Sequence, residues 1–471
     1  MLFTAPFFLF VFLPVVLLGF YVVPKQFKNI VLLSSSVLFY AWGEELLVLL
    51  LISSTVIDFS CGLIIDSGKR KLGLFISIVA NLSFLAYFKY ADFAFENFHL
   101  ILSELGWTES VFKDLPNIVL PLGISFYTFQ TMSYTIDVFR GDVKANRNFI
   151  EFATYVTMFP QLVAGPIVRY VDIQKQITNR NLSWEQFSEG IQRFVIGLGK
   201  KVILANTFAS VSDDIFNFAP YDLSTDVAWL GIFIYSLHIF FDFSGYSDMA
   251  IGLGKMFGFD FLENFNYPYI SKSIREFWRR WHISLSSWFR DYLYIPLGGS
   301  KNGKYNTYFN LGVVFFVTGF WHGASWNFIV WGMYHGFFII FERLGGGKLL
   351  DKTGSIQHVY TLVIVMIGWV FFKAETLTDA LLYLRQMFIL VSKNNIPGDI
   401  SYFLSIELCV ALIIGVAISM PIFGYLKQKL KNYNQTLYAK FIYFLFLVLI
   451  FHVSISYIAI DSYNPFIYFR F

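Results

Sequence analysis

The stretch YNTYFNLGVVFFVTGFWHGASWNFIVWGMYHGFFIIF occupies residues 305–341 and contains no Asp, Glu, Lys or Arg. Its 37 residues exceed the length of a single span, because about 20 apolar residues cross the hydrocarbon core of a bilayer as a helix. The stretch therefore predicts a hairpin of two membrane-spanning helices, and it indicates a membrane protein before any other part of the chain is considered.

The composition of the whole chain supports this reading. Hydrophobic residues make up 56% of the 471 residues and charged residues 14%, whereas a soluble domain carries about 25% charged residues. The mean hydropathy is +0.58. A soluble fold is excluded, and an aromatic content of 20% excludes a disordered or collagen-like chain.

Further apolar segments of spanning length lie on both sides of the hairpin. They are residues 1–24, 29–43, 46–65, 72–88, 118–136, 191–209, 228–251, 353–372, 408–426 and 441–460. Residues 152–168 are also uncharged, but Pro160 and Pro166 interrupt them and predict a re-entrant segment. We expect an all-α polytopic membrane protein with about 11–12 transmembrane helices plus short interfacial and re-entrant helices, forming one domain over residues 1–471.

The loops between these segments alternate in charge. Basic residues follow the first, third and fifth spans, and acidic residues dominate the loops between them. Because Lys and Arg favour the cytoplasmic side, we expect the N-terminus outside. Residues 252–304 mix basic and aromatic side chains, which predicts short amphipathic helices along the cytoplasmic interface.

The hairpin contains a candidate catalytic group. His322 is the first side chain in it that can take a proton near neutral pH, so we interpret residues 305–341 as a catalytic hairpin. His335 could line the same cavity, although two helix-packing histidines are an open alternative. The neighbours expected to exclude water, to orient the imidazole or to stabilise an oxyanion are Trp321, Ser325, Trp326 and Asn327.

A second polar group lies in residues 236–248, where His238 and Asp242 interrupt an apolar helix. This seam predicts either a structural hydrogen-bond network or part of a substrate-lining surface. The two cysteines, Cys61 and Cys409, lie in apolar runs and indicate no disulfide framework, and we expect no metal site and no nucleic-acid partner.

A basic constellation occupies residues 272–286. Read as one continuous helix, it places Lys272, Arg275, Arg279 and His282 on one face. Such a face can anchor to anionic lipid headgroups, or its guanidinium groups, with Arg280 beside them, can bind the phosphates of a donor such as coenzyme A. The flanking cations would keep His282 neutral, which fits a second catalytic or a ligand-binding histidine.

Six stretches, distributed over most of the chain, resemble the membrane-bound O-acyltransferases, in the bacterial branch that acetylates alginate and peptidoglycan. They are LPLGISFYTFQTMSYTIDVFRG (120–141), FPQLVAGPIVRY (159–170), FDFSGYSDMAIGLGKMFGF (241–259), FWRRWHISLSSWFRDYLYIPLGGS (277–300), GFWHGASWNFIVWGMYHG (319–336) and NPFIYFRF (464–471). The resemblance implies that the family's histidine in its Trp-His-Gly motif is His322 and that His282 is the second characteristic position.

The same resemblance implies a function. We expect an O-acetyltransferase of the bacterial inner membrane that moves acetyl from a cytosolic thioester, acetyl-coenzyme A, toward an extracytoplasmic polysaccharide. The expected partners are a periplasmic SGNH-type transferase, the polysaccharide export complex and membrane lipid, with no cofactor beyond the donor. The alternatives are a carrier-protein-dependent acyltransferase of the D-alanylation type, a transporter or flippase, and a scaffold of the export complex.

Overall fold

The computed structural model describes residues 1–106, 118–163, 165–389, 399–422, 425, 436–460 and 463–465, which contain helices and turns but no β-strand. The α-helices of this described part are α1 (Leu13–Val22), α2 (Lys28–Glu44), α3 (Val48–Asp66), α4 (Arg70–Glu104), α5 (Ile124–Arg140), α6 (Phe149–Thr157), α7 (Phe159–Leu162), α8 (Tyr170–Thr178), α9 (Trp184–Gly199), α10 (Asn206–Asn217), α11 (Thr225–Met256), α12 (Ile274–Arg280), α13 (Ile283–Phe289), α14 (Gly303–His322), α15 (Trp326–Phe341), α16 (Gly347–Leu350), α17 (Ile356–Lys373), α18 (Leu377–Phe388), α19 (Ile406–Ile418) and α20 (Leu437–Ile460). The all-α architecture is confirmed.

Among the described residues, six helical runs are long and apolar enough to cross a membrane. They are Lys25–Asp66, Arg70–Glu104, Trp184–Asn217, Thr225–Met256, Ile356–Lys373 and Leu437–Ile460. Two shorter apolar helices, Phe8–Val22 and Ile406–Ile418, accompany them. The chain is therefore a membrane protein, and the total of about 11–12 crossings stays a prediction.

The uncharged stretch 305–341 folds as a helical hairpin, as predicted. α14 ends at His322 and α15 begins at Trp326, so three residues form the turn. A Cβ atom on Gly319 would lie 2.3 Å from the carbonyl oxygen of Phe328, and one on Gly332 equally close to that of Phe315. Only glycine permits this approach of the two backbones. Neither helix is among the six long apolar runs, because α15 has only 16 residues and the first turns of α14 are polar.

The described residues form two compact units. The first comprises residues 1–187, 254–261 and 323–325, and the second comprises residues 188–253, 262–322 and 326–471. In the first unit the carboxylate of Asp58 accepts hydrogen bonds from Ser77 Oγ (2.5 Å) and Asn81 Nδ2 (2.8 Å). Ser77 also contacts Thr135 Oγ1 at 2.8 Å. This buried network joins α3, α4 and α5 and compensates the cost of burying a carboxylate. The single domain over residues 1–471 stays a prediction.

The interruption predicted at Pro160 is present in the first unit. α6 ends at Thr157, and α7 begins at Phe159 with Pro160 in its first turn. Proline is accepted there because the first helical N–H groups have no intrahelical partner. The segment 152–168 is thus broken as expected, and its re-entrant path stays a prediction.

The basic region of the second unit differs from the continuous helix expected over residues 272–286. α12 ends at Arg280, Trp281 is extended, and His282 has a left-handed backbone with φ 44° and ψ 56° before α13 begins. The prediction of one helix is therefore wrong, whereas short helices in residues 252–304 are confirmed. The consequence is that His282 does not share a helical face with Lys272, Arg275 and Arg279.

Candidate functional site

His322, the last residue of α14, lies in an aromatic cage of the second unit. Its ring centroid is 4.9 Å from that of Trp321, 5.0 Å from that of Trp331 and 5.4 Å from that of Phe372. Only 6% of His322 is exposed. The cage therefore excludes bulk water from the imidazole, and a proton transfer there would take place in a medium of low dielectric.

A small space adjoins this imidazole, which we call the histidine cavity. Its lining residues are Ile239, Phe243, Trp281, His322, Trp331, Trp369 and Phe372, and its volume is about 10 Å³. A cavity of this size is at the limit for a single water molecule. Only a small group can approach His322 without movement of the surrounding rings.

The lining comes from several parts of the second unit. α11 contributes Ile239 and Phe243, α17 contributes Trp369 and Phe372, and Trp281 lies at the break between α12 and α13. The sequence analysis missed all five. Four of the five are aromatic. Because aromatic residues form 20% of the chain, their presence in the sequence did not distinguish cavity-lining rings from rings that only pack.

The other hairpin residues occupy different positions. Asn327 Nδ2 donates to the carbonyl oxygen of Ala374 at 2.8 Å, which commits this amide to a structural bond. Trp326 is 54% exposed, and Ser325 lies in the turn between α14 and α15. None of these three residues lines the histidine cavity, whereas Trp321 is buried against His322.

His335 is fully buried at a separate position. Its ring packs edge-to-face against Trp278 at 5.2 Å and against Trp331 at 5.3 Å. A Cβ atom on Gly368 would lie 2.6 Å from its Nε2 atom, so the imidazole fills a gap that this glycine leaves in α17. His335 packs helix against helix behind Trp331 and does not line the histidine cavity.

His282 lies close to the histidine cavity without lining it. Its ring is perpendicular to that of Phe243 at 4.6 Å, and Phe243 is itself a lining residue. His282 Nδ1 is 3.2 Å from Asn264 Oδ1. Burial lowers the pKa of His282 to about 3, so the ring is neutral at physiological pH for a different reason from the flanking cations that the sequence suggested.

The polar seam of α11 forms a buried ion pair. Lys201 Nζ lies 2.6 Å from Asp242 Oδ1, with both side chains almost fully buried. Lys201 also donates to Asn206 Oδ1 at 3.0 Å. His238, one turn before Asp242, packs against Tyr235. Neither His238 nor Asp242 lines the histidine cavity.

A larger opening of about 610 Å³, which we call the basic cavity, lies against α12. Five basic side chains and three acidic ones line it: Lys272, Arg275, Arg279, Arg290, Arg343, Glu276, Glu342 and Asp351. Three of the four donor-binding candidates from the sequence are thus brought together. The fourth, Arg280, is not in the lining; it bonds to Glu276 at 2.9 Å and to the carbonyl oxygen of Asn266 at 3.1 Å.

Some charged side chains of the basic cavity have bonding partners within the described protein, and others form no ion pair there. Arg290 pairs with Asp291 at 2.7 Å, and the carboxylate of Glu342 accepts the backbone N–H groups of Ile274 (2.6 Å) and Arg275 (3.1 Å). In the described part of the chain, the side chains of Arg275 and Arg279 form no ion pair. Their guanidinium groups remain available for an anionic ligand.

One pair of tryptophans lies between the two cavities. Trp278 lines the basic cavity, and its ring meets that of Trp331 at 5.5 Å and 72°. Trp331 lines the histidine cavity and contacts His322. The two spaces are therefore separated by two aromatic side chains in edge-to-face contact.

Comparison with known proteins identifies the family of this chain. Residues 93–346 match the model of the membrane-bound O-acyltransferase family. The chain is 45% identical over 394 residues to the "Probable alginate O-acetylase AlgI" of Pseudomonas aeruginosa, covering 82% of this chain and 75% of the relative. It is 39% identical over 500 residues to the protein of the same name from Pseudomonas putida, with full coverage of both. It is 36% identical over 447 residues to the "Peptidoglycan O-acetyltransferase" of Helicobacter pylori, covering 86% and 83%. The chain therefore belongs to the membrane-bound O-acyltransferase family and is an acyltransferase enzyme.

Proposed function

We propose that this acyltransferase uses acetyl-coenzyme A for the O-acetylation of an extracytoplasmic polysaccharide, such as alginate, another exopolysaccharide or peptidoglycan. The names of the relatives support the reaction class and the kind of polymer. In this proposal the protein lies in the bacterial cytoplasmic membrane. It works with a periplasmic SGNH-type transferase and the polysaccharide export complex.

The observation that carries the proposal is the pairing of a basic cavity with a minimal histidine cavity across one pair of tryptophans. The guanidinium groups of Arg275 and Arg279 suit the phosphates of coenzyme A, because they present forked donors to phosphate oxygens. The space beside His322, of about 10 Å³, holds at most one water molecule, so the surrounding rings must move to admit even a two-carbon acyl group, and a long acyl chain is disfavoured. The pantetheine arm would pass between Trp278 and Trp331, whose rings are in contact at 5.5 Å and must separate to admit it.

The proposed chemistry is direct transfer. The oxygen of the acceptor hydroxyl bonds to the acetyl carbonyl carbon while its proton passes to the neutral imidazole of His322. The carbon–sulfur bond then breaks, and the leaving thiolate takes the proton from the imidazolium, which restores neutral His322. No acetyl group is attached to the protein at any step.

The negative charge on the carbonyl oxygen needs a hydrogen-bond donor. The sequence suggested Asn327, Trp326 or Ser325, none of which lines the histidine cavity. Trp331 does, and its indole N–H has no acceptor among the described residues. We therefore propose Trp331 as the oxyanion donor.

The test is transfer of radiolabelled acetyl from acetyl-coenzyme A to a polysaccharide acceptor by the purified protein in nanodiscs, with free thiol measured in parallel. The proposal expects transfer that depends on His322. Transfer only from an acylated carrier protein would replace it with a D-alanylation-type donor. Vectorial movement of an intact solute without transfer would replace it with a transporter, and acetyl trapped on His322 would contradict the direct mechanism.

A further inference from the structure

Asn264 is a buried residue that holds the start of α13. The backbone N–H of Ile283 donates to the carbonyl oxygen of Asn264 at 3.0 Å. The backbone N–H of Ser284 donates to Asn264 Oδ1 at 3.2 Å, and Ser284 Oγ donates to the same atom at 2.9 Å. The first N–H groups of a helix have no intrahelical partner, so Asn264 satisfies two of them.

These bonds fix which way the Asn264 amide points. The oxygen and nitrogen of an asparagine amide are assigned from their hydrogen-bond partners. A backbone N–H can only donate, so the atom facing Ser284 N must be the oxygen. The orientation of Asn264 thus follows from its bonds to the start of α13, and it leaves Nδ2 without an acceptor in the described structure.

The orientation of Asn264 in turn determines the proton position on His282. Nδ1 of His282 lies 3.2 Å from the same Oδ1 atom. Nδ1 also lies 3.4 Å from Ser284 Oγ, whose hydrogen is donated to Asn264 Oδ1, so both neighbours of Nδ1 act as acceptors and Nδ1 carries the hydrogen. In a neutral imidazole with Nδ1–H, the lone pair is on Nε2.

The backbone of His282 supports the same constraint. Its φ of 44° is uncommon for a residue with a side chain, and such a conformation persists only where surrounding bonds over-determine it. The bonds from Ile283 and Ser284 to Asn264 fall immediately after this residue. They hold the ring against Phe243, which lines the histidine cavity.

We propose that Asn264 is a positioning residue that fixes His282 as the Nδ1–H tautomer, which leaves the lone pair on Nε2 of a ring that packs against Phe243 of the histidine cavity. A catalytic use of this lone pair rests on the proposed function: Nε2 would accept a hydrogen bond from a substrate group other than the attacking hydroxyl, whose proton passes to His322. The tautomer itself does not depend on it. In the serine-protease triad, loss of the residue that sets the histidine tautomer costs about 10⁴-fold in rate, which gives an upper bound here.

The first experiment reads the tautomer without an activity assay. The purified full-length protein is labelled with ¹⁵N-histidine, and the His282 resonances are identified by their absence in His282→Gln. The wild type should show a protonated Nδ1 and an unprotonated Nε2. Asn264→Asp, which keeps an acceptor oxygen, should preserve this pattern, and Asn264→Ala should lose it. A protonated Nε2 in the wild type would overturn the proposal.

The second experiment reads the consequence for catalysis. Asn264→Ala should lower kcat by roughly tenfold to a hundredfold, as loss of a histidine-orienting partner commonly does, while the KM for acetyl-coenzyme A stays within twofold. Asn264→Asp should recover part of the rate. Asn148→Ala is the matched control, because Asn148 caps α6 through bonds to Ile150 N (3.0 Å) and Glu151 N (3.4 Å); its kcat should not change.

The outcomes separate this proposal from the proposed function. Wild-type kcat in both Asn264→Ala and His282→Gln would overturn the positioning role and leave acetyl transfer by His322 intact. Loss of activity in Asn264→Ala with an unchanged tautomer would also overturn it, since the loss would then come from α13 alone. Absence of acetyl transfer by the wild-type protein would instead refute the proposed function and leave the tautomer result standing.

Discussion

Replacing Arg275 or Arg279 by lysine keeps the positive charge of the basic cavity but removes a forked pair of donors. If these side chains bind the phosphates of coenzyme A, the change should weaken donor binding, because a lysine ammonium acts as a point charge and cannot reproduce the planar fork. If they only anchor the protein to anionic lipid, charge alone suffices and the change should have no effect on the donor.

The magnitude follows from the surroundings of the two guanidinium groups. Neither forms an ion pair with a described carboxylate, and the longer-range attraction between Arg275 and Glu342 is kept by lysine, which has the same charge. A hydrogen bond to a charged group contributes about 1.5–3 kcal/mol, and both side chains are exposed, which favours the lower end because solvent screens the interaction. A loss of about 1.5 kcal/mol raises Kd roughly tenfold. The double variant should lose less than the sum if both groups hold one phosphate.

The assay is calorimetric titration of coenzyme A into the protein in nanodiscs, with the KM for acetyl-coenzyme A as a second readout. Arg280→Lys is the matched control: Arg280 follows Arg279 directly but bonds to Glu276 and Asn266 and does not line the basic cavity. Its Kd should be unchanged. Equal Kd values for the wild type, Arg275→Lys and Arg279→Lys would refute phosphate binding and favour lipid anchoring.

Three further predictions concern the histidine cavity and the orientation of the chain. His322→Ala should lower acetyl transfer by about a hundredfold to ten-thousandfold, the usual loss for a general base, without lowering the amount of protein in the membrane; near wild-type transfer would exclude it as the base. Trp331→Phe should reduce kcat by about a hundredfold to a thousandfold, as loss of an oxyanion donor does. Trp229→Phe, which also loses an indole hydrogen bond, to the carbonyl oxygen of Met387, should keep its kcat; equal losses in the two variants would count against an oxyanion role. Single cysteines at Lys301 and Asp222, in a background without native cysteines, should react with an impermeant thiol reagent from the cytoplasmic and outer sides respectively, and labelling from one side would contradict the predicted topology.

The helical hairpin was predictable because its signal is local. Thirty-seven residues without a fixed charge are too many for one span and favour two helices in a membrane, and the glycines at 319 and 332 supply the close packing that apolar helices use. The break at His282 was not predictable, because the bonds that stabilise it come from Asn264, 18 residues earlier in the chain. Helical periodicity contains no information about such a partner.

For the basic cluster, too, the sequence predicts which kinds of residue are present but not which of them bond to one another. The sequence identifies a group of cations near residues 272–280, and three of them line one cavity. Glu276 lies three residues before Arg279 and four before Arg280, so helical spacing allows either pair, and the sequence does not decide that the bond goes to Arg280. It also does not show that Arg275 and Arg279 form no ion pair in the described structure. A pattern of charges therefore predicts a binding surface better than it predicts which charges bind.

The seam of α11 shows that a buried polar residue in a membrane enzyme can have either a functional or a structural role. Asp242 has the features of a functional residue, being an acidic group within an apolar helix, yet its carboxylate is paired with Lys201 at 2.6 Å and fully buried. Removing one partner of such a pair costs about 3–5 kcal/mol because the other charge stays buried without compensation. That cost is comparable to the whole stability of many domains. Loss of activity after substitution of Asp242 would therefore follow from loss of the folded protein alone. His322, in contrast, is surrounded by aromatic rings and has a cavity beside it. Both places hold a buried ionisable side chain, and the adjoining cavity distinguishes the candidate site at His322 from the structural ion pair at Asp242.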